Sequence, residues 1–71
     1  MKTVNEIIEF INANCQACFA FENDGNVKVT YRGKKSSGIL IDMEYSSIEV
    51  IGNIGGDCLA QISEFTGFTI D

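Results

Sequence analysis

The stretch Gly38 to Ile54, GILIDMEYSSIEVIGNI, limits the fold more than any other part of the chain. Its side chains alternate with a period of two. Ile39, Ile41, Met43 and Tyr45 point to one face, and Leu40, Asp42 and Glu44 to the other. Beyond Ser46-Ser47, Ile48 and Val50 resume the first face, with Glu49 and Ile51 opposite. Successive side chains of a strand project to opposite sides, so the pattern predicts two half-buried strands. Ser46-Ser47 is read as the tight turn between them.

Two more strands precede this pair. Ala17 to Glu22 reads as the first, with Phe19 and Phe21 inward. Asn23-Asp24-Gly25 reads as a three-residue hairpin loop, with glycine in the left-handed position. Asn26 to Arg32 follows as the second strand. Val27, Val29 and Tyr31 face in, and Lys28, Thr30 and Arg32 face out. Gly33 to Gly38, with Lys34-Lys35-Ser36-Ser37, reads as a loop.

Helices flank the strands. Thr3-Val4-Asn5-Glu6 has the form of a capping box, and Val4, Ile7, Ile8 and Ile11 then share one helical face. Phe10 falls at the edge of that stripe, and the helix is expected to end near Asn12 to Asn14. Gly52 to Gly56 breaks the sheet. Asp57 is read as the N-cap of a second helix, with Cys58 or Leu59, Ile62 and Phe65 on its apolar face and Gly67 as its stop. Phe68-Thr69-Ile70 is allowed as a short final strand. The fold class is therefore α+β, in the order α-β-β-β-β-α. A four-stranded antiparallel meander carries both helices on one face, and residues 1–71 form a single domain.

That arrangement leaves the other sheet face open. By parity it carries Cys18, Ala20, Glu22, Lys28, Thr30, Arg32, Leu40, Asp42, Glu44, Glu49 and Ile51. Lys28 is expected opposite Asp42 or Glu44. A two-residue turn at Ser46-Ser47 sets Glu44 directly against Glu49, and like charges across a strand pair repel. An acidic row that is kept despite this repulsion is a ready contact for Lys or Arg on a partner. Ala20, Leu40 and Ile51 make the same face rather apolar for a solvated sheet, which favours an interface there.

Charge points the same way. Ten Asp and Glu against five Lys and Arg give a net charge of −5, which opposes direct binding of nucleic acid. Acidity of this kind serves either solubility or the capture of a basic protein surface. No apolar run reaches the ~18 residues of a membrane span. Glu6 and Glu9 interrupt the segment after Lys2, which a secretory leader would leave apolar. The expected location is the cytoplasm, of the producing cell or of a host.

Catalytic and cofactor chemistry finds little support. Histidine is absent, which removes the commonest general base and nitrogen ligand. Cys15-Gln16-Ala17-Cys18 follows a helix, whereas a redox C-x-x-C opens one. As a zinc site it needs Cys58, and Asp57 beside it, to come within reach; packing is the simpler role for these thiols. The glycines of Gly52 to Asp57 match neither the dinucleotide nor the Walker spacing. The Lys34-Lys35 loop has no aromatic residue interleaved for base stacking. Asp42, Glu44 and Glu49 lack a cleft to perturb their acidity, so no enzyme activity is expected.

The reading that remains is a non-enzymatic protein-interaction module. Its expected partner-binding residues are Asp42, Glu44, Glu49, Glu22, Asp24, Leu40 and Ile51. In size and charge alone the chain resembles phage or mobile-element inhibitors of the anti-CRISPR or DNA-mimic type. That resemblance implies a basic site on a host nucleic-acid-binding protein as the target. The alternatives are a homodimer packed through Leu40, Ile51 and Ala20 or through an edge strand, and a zinc or thiol module built on Cys15, Cys18 and Cys58.

Overall fold

A computed structural model describes residues 1–71. The elements run α1 (Val4–Asn14), β1 (Cys18–Asn23), β2 (Asn26–Tyr31), β3 (Lys34–Asp42), β4 (Ser47–Ile51), α2 (Gly56–Thr66) and β5 (Thr69–Ile70). The α+β fold matches the sequence expectation. The sheet gains a fifth strand and is mixed, in the order β1-β2-β3-β4-β5. The meander strands pair antiparallel. The α2 crossover returns the chain in the opposite sense, so β5 pairs parallel to β4.

One core joins the layers. Ile7 and Ile11 of α1, Val27 and Val29 of β2, Ile39 and Ile41 of β3, Ile48 of β4 and Ile62 of α2 are its largest fully buried side chains. Burial of each contributes about 1.5–3 kcal/mol. No polar side chain is buried in the core. The α1 capping box forms: the Glu6 amide donates to Thr3 Oγ1 at 3.1 Å, and the Thr3 amide donates to Glu6 Oε1 at 2.8 Å. The Thr3 hydrogen bonds hold the Glu6 carboxyl below the usual carboxylate range. Phe10 stacks on Phe65 of α2 at 4.0 Å between ring centroids, which ties the two helices together.

The register of β1 departs from expectation. Asn23 pairs with Asn26, so the turn is the two residues Asp24-Gly25 rather than three. Both have positive φ, 51° and 82°, as a tight hairpin turn of this hand requires. A one-residue change of register flips every side chain of a strand. Ala20 therefore lies inward opposite Val29 and is 2 % exposed, while Phe19 lies outward and is 60 % exposed. Small Ala20 lets α1 come close, and Asn12 of α1 bonds both of its backbone groups. The Ala20 amide donates to Asn12 Oδ1 at 2.8 Å, and Asn12 Nδ2 donates to the Ala20 carbonyl at 3.1 Å.

Three further boundaries shift. β3 begins at Lys34, which pairs with Tyr31; the chain then bulges through Lys35, Ser36 and Ser37 before Gly38 pairs with Thr30. The β3–β4 turn spans Met43 to Ser46, because Asp42 pairs with Ser47. Asp42 Oδ1 accepts from the Glu44 and Tyr45 amides at 2.9 and 3.1 Å, so the aspartate itself builds this wider turn. Tyr45 is consequently exposed, not inward. The N-cap of α2 is Gly55, and Asp57 sits within the first turn, where an acidic side chain also favours the helix dipole.

Gly38 is the residue this sheet tolerates least in substitution. Its φ is +142°, and a Cβ there would overlap the Val29 carbonyl oxygen. Gly38→Ala is expected to cost at least about 2 kcal/mol in urea denaturation, since both strain and steric overlap oppose it. Gly56→Ala meets open space in the first turn of α2 and is expected to gain up to about 1 kcal/mol. Equal midpoints for the two variants would refute the packing described for Gly38.

Candidate functional site

The acidic side chains collect at one end of the sheet. There the β1–β2 turn, the β3–β4 turn and β5 surround a hollow of about 610 Å³. Asp24, Asp42, Glu49 and Asp71 line it together with Leu40, Tyr45 and Thr69, and no Lys or Arg is among its lining residues. Each reaches the site by a different route. Asp24 occupies a positive-φ position of the hairpin turn. Asp42 ends β3, Glu49 lies opposite Leu40 in β4, and Asp71 follows β5, its amide donating to the Ile48 carbonyl at 2.8 Å.

Of the residues expected from sequence, Asp24, Asp42, Glu49 and Leu40 are brought together. Glu44 is exposed in the turn and is not paired against Glu49, whose partner is Leu40. The wider turn removes the like-charge pair that a two-residue turn would have forced. Glu22 turns to hairpin duty, its carboxylate accepting from the Gly25 amide at 2.6 Å. Ile51 sits at the opposite end of β4, across from Gly38. Lys28 pairs with Leu40, not with Asp42 or Glu44. Ala20 leaves the open face altogether. Tyr45, Thr69 and Asp71 were missed. The turn length hid the first, and only the β5 pairing places the other two.

The open face also carries Phe19 and Phe21, which sequence reading had placed inside. Their rings lie 5.7 Å apart, beside Thr30 and Lys28 on the neighbouring strand. The basic residues Arg32, Lys34 and Lys35 lie at the other end of the sheet, around the β2–β3 turn. The guanidinium of Arg32 rests 5.2 Å from the Tyr31 ring centroid.

The three cysteines are free, and the fold brings Cys58 to the Cys15–Cys18 pair on the helix side. Cys15 Sγ lies 3.7 Å from Gln61 Oε1, and Cys58 Sγ lies 3.6 Å from the Gln16 carbonyl. Burial pushes the Cys15 thiol up to about 11, with neighbouring Cys58 adding to the rise. Burial likewise pushes Cys18 up to about 12, again helped by Cys58. No group of three or more Cys, Asp or Glu is arranged to hold a metal ion. No helix is long and apolar enough to cross a membrane. Compared with protein-family models, curated proteins and solved structures, the chain matches none.

The thiols generate a pH dependence. The folded state keeps protons that the unfolded chain releases above the ordinary thiol value of 9.0. Their contribution to stability is complete below that value and is lost as pH rises through about 11 to 12. Urea midpoints are expected to fall progressively above pH 9.0, and to fall less steeply in Cys15→Ala/Cys18→Ala. Identical slopes for the two proteins would show that other groups carry the effect.

Proposed function

We propose that the protein is a non-enzymatic interaction module whose acidic sheet end receives Lys or Arg side chains of a protein partner. The observation that carries this reading is the hollow lined by Asp24, Asp42, Glu49 and Asp71 with no cation among its walls. Carboxylates with no local counter-charge repel one another, and a basic partner relieves that repulsion. Exposed Tyr45 at its rim adds a rigid aromatic contact of the type enriched at interfaces. Each exposed ion pair contributes only about 0.2–1 kcal/mol, so the acidic end acts chiefly on encounter rate and specificity.

Small size and acidity support a finer assignment within this class. The chain works as an inhibitor of the phage or mobile-element kind, in the cytoplasm, occupying a basic site on a nucleic-acid-binding protein. The same carboxylates serve no hydrolytic chemistry in this proposal. They sit on an open sheet end, and Asp42 is already engaged by two backbone amides.

A tagged pull-down from nuclease-treated bacterial lysate tests the reading, with Glu44→Lys/Glu49→Lys run beside the unmodified chain. Neither side chain has a structural hydrogen bond to lose. The captured basic protein, once purified, is expected to bind the unmodified chain at least about tenfold faster than the variant at low salt. The difference should shrink toward one at high salt as screening sets in. Equal capture by both proteins at low and high salt would exclude the acidic end as the contact.

A further inference from the structure

The turn between α1 and β1 and the first turn of α2 bring every thiol of the chain to one place. The Cys18 amide donates to the Cys15 carbonyl at 3.3 Å, which closes the first of these turns. Cys58 packs over it, its thiol donating to the Gln16 carbonyl at 3.6 Å. Burial raises the Cys15 and Cys18 thiols, and Cys58 adds to each rise through hydrogen bonding and charge. The three are not arranged as metal ligands. Packing alone asks only for small apolar side chains; what sulfur adds is thiol chemistry.

The thiols are not equivalent. Cys58 lines a hollow of about 670 Å³ with Gln16, Arg32, Asp57 and Gln61, so a small solute reaches its sulfur from that side. Cys15 is 5 % exposed, and its thiol donates to Gln61 Oε1 at 3.7 Å. Cys18 is only half-buried, and Cys58 is the one side chain to which it hydrogen-bonds.

We propose that Cys18 and Cys58 form a reversible intramolecular disulfide when the chain meets a hydroperoxide. With hydrogen peroxide, the Cys58 sulfur attacks one oxygen and the O–O bond breaks. The leaving hydroxide takes the Cys58 proton as water, and Cys58 becomes a sulfenic acid. The Cys18 sulfur then attacks the Cys58 sulfur. The S–O bond breaks, and its hydroxide takes the Cys18 proton as a second water. Two thiols are oxidised to one disulfide, and the peroxide is reduced to water. A small thiol such as glutathione reverses the change by exchange.

The bond changes what holds α2. Its N-cap, Gly55, makes no side-chain hydrogen bond. The disulfide ties this start of the helix to the first residue of β1 and closes a loop of about forty residues. At its other end α2 leads to β5 and Asp71, so the tie steadies the crossover that completes the acidic end. The thiol chemistry itself is independent of what that end binds.

The test treats the folded, full chain with about 1 mM hydrogen peroxide, then alkylates it in urea and maps its peptides without reduction. The Cys18 and Cys58 peptides are expected to be linked, with Cys15 alone alkylated. The intact mass should fall by two hydrogens and return with glutathione. The urea midpoint of the oxidised chain is expected to lie at least about 1 M above that of the reduced chain. Cys15→Ala should form the link at an unchanged rate, and Cys18→Ala should cross-link at least about tenfold more slowly. Three thiols still open to alkylation, a link from Cys58 to Cys15 in the unmodified chain, Cys58 sulfinic acid without a link, or disulfides only between chains would each overturn the proposal. All four outcomes are read on the unmodified chain, so none depends on a variant folding.

Discussion

A hairpin turn of two residues rather than three decides what this sheet shows to solvent. Asp24 and Gly25 both adopt positive φ, and the strands they join twist compatibly only with that geometry. Everything in β1 follows by parity. Ala20 goes to the core side, where α1 approaches closely enough for Asn12 to bond both of Ala20's backbone groups. Phe19 and Phe21 go to the open side. A longer loop would have hidden two aromatic rings and left Ala20 in water. The chain accepts the loss of aromatic burial, and the close approach of α1 caps the edge strand at Ala20.

The two edges of the sheet are covered only in part. An edge strand with free amides and carbonyls invites another strand. Asn12 satisfies Ala20 from one side, and at the other end of the sheet β5 pairs with β4 through Ser47 and Ile48. The pairing is short, but it covers β4 where the meander would otherwise stop. β5 is then the outermost strand on that side, and it leaves Glu49 to Ile51 of β4 without a neighbour. The three thiols belong to the opposite layer, where burial pushes the Cys15 and Cys18 thiols up and makes Cys15 and Cys58 part of the core.

The α+β order, the capping box, Gly67 as the stop of α2 and the inward set of β2, β3 and most of β4 were legible in the sequence. Those signals are local: a helical stripe, a period of two, a glycine with φ +73°. Register was not legible where a turn admitted two lengths. Asn23-Asp24-Gly25 and Ser46-Ser47 both contain good turn residues, and alternation continues equally well for either loop length. Phe19 and Phe21 were assigned inward because a three-residue loop sets them opposite Val29 and Val27, but the two-residue turn moves them by one place, opposite Thr30 and Lys28. Asp71 was invisible as a site residue because only the crossover through α2 carries it back beside the sheet.

The acidity of one sheet end has two different origins, and separating them sharpens what the surface means. Asp42 accepts from the Glu44 and Tyr45 amides, Glu22 accepts from the Gly25 amide, and Asp24 takes a conformation that most side chains avoid. These carboxylates build turns, and a folded hairpin would need them or close substitutes whatever the protein did. Glu44, Glu49 and Asp71 make no such side-chain contact. They add charge where the turns have already placed it, and Glu49 does so opposite Leu40 with no ion pair to offset it. Structure alone therefore explains about half of the acidic end. Of the carboxylates it leaves without a task, Glu49 lies on the same face as Phe21, in the row Phe21, Lys28, Leu40 and Glu49 across the strands.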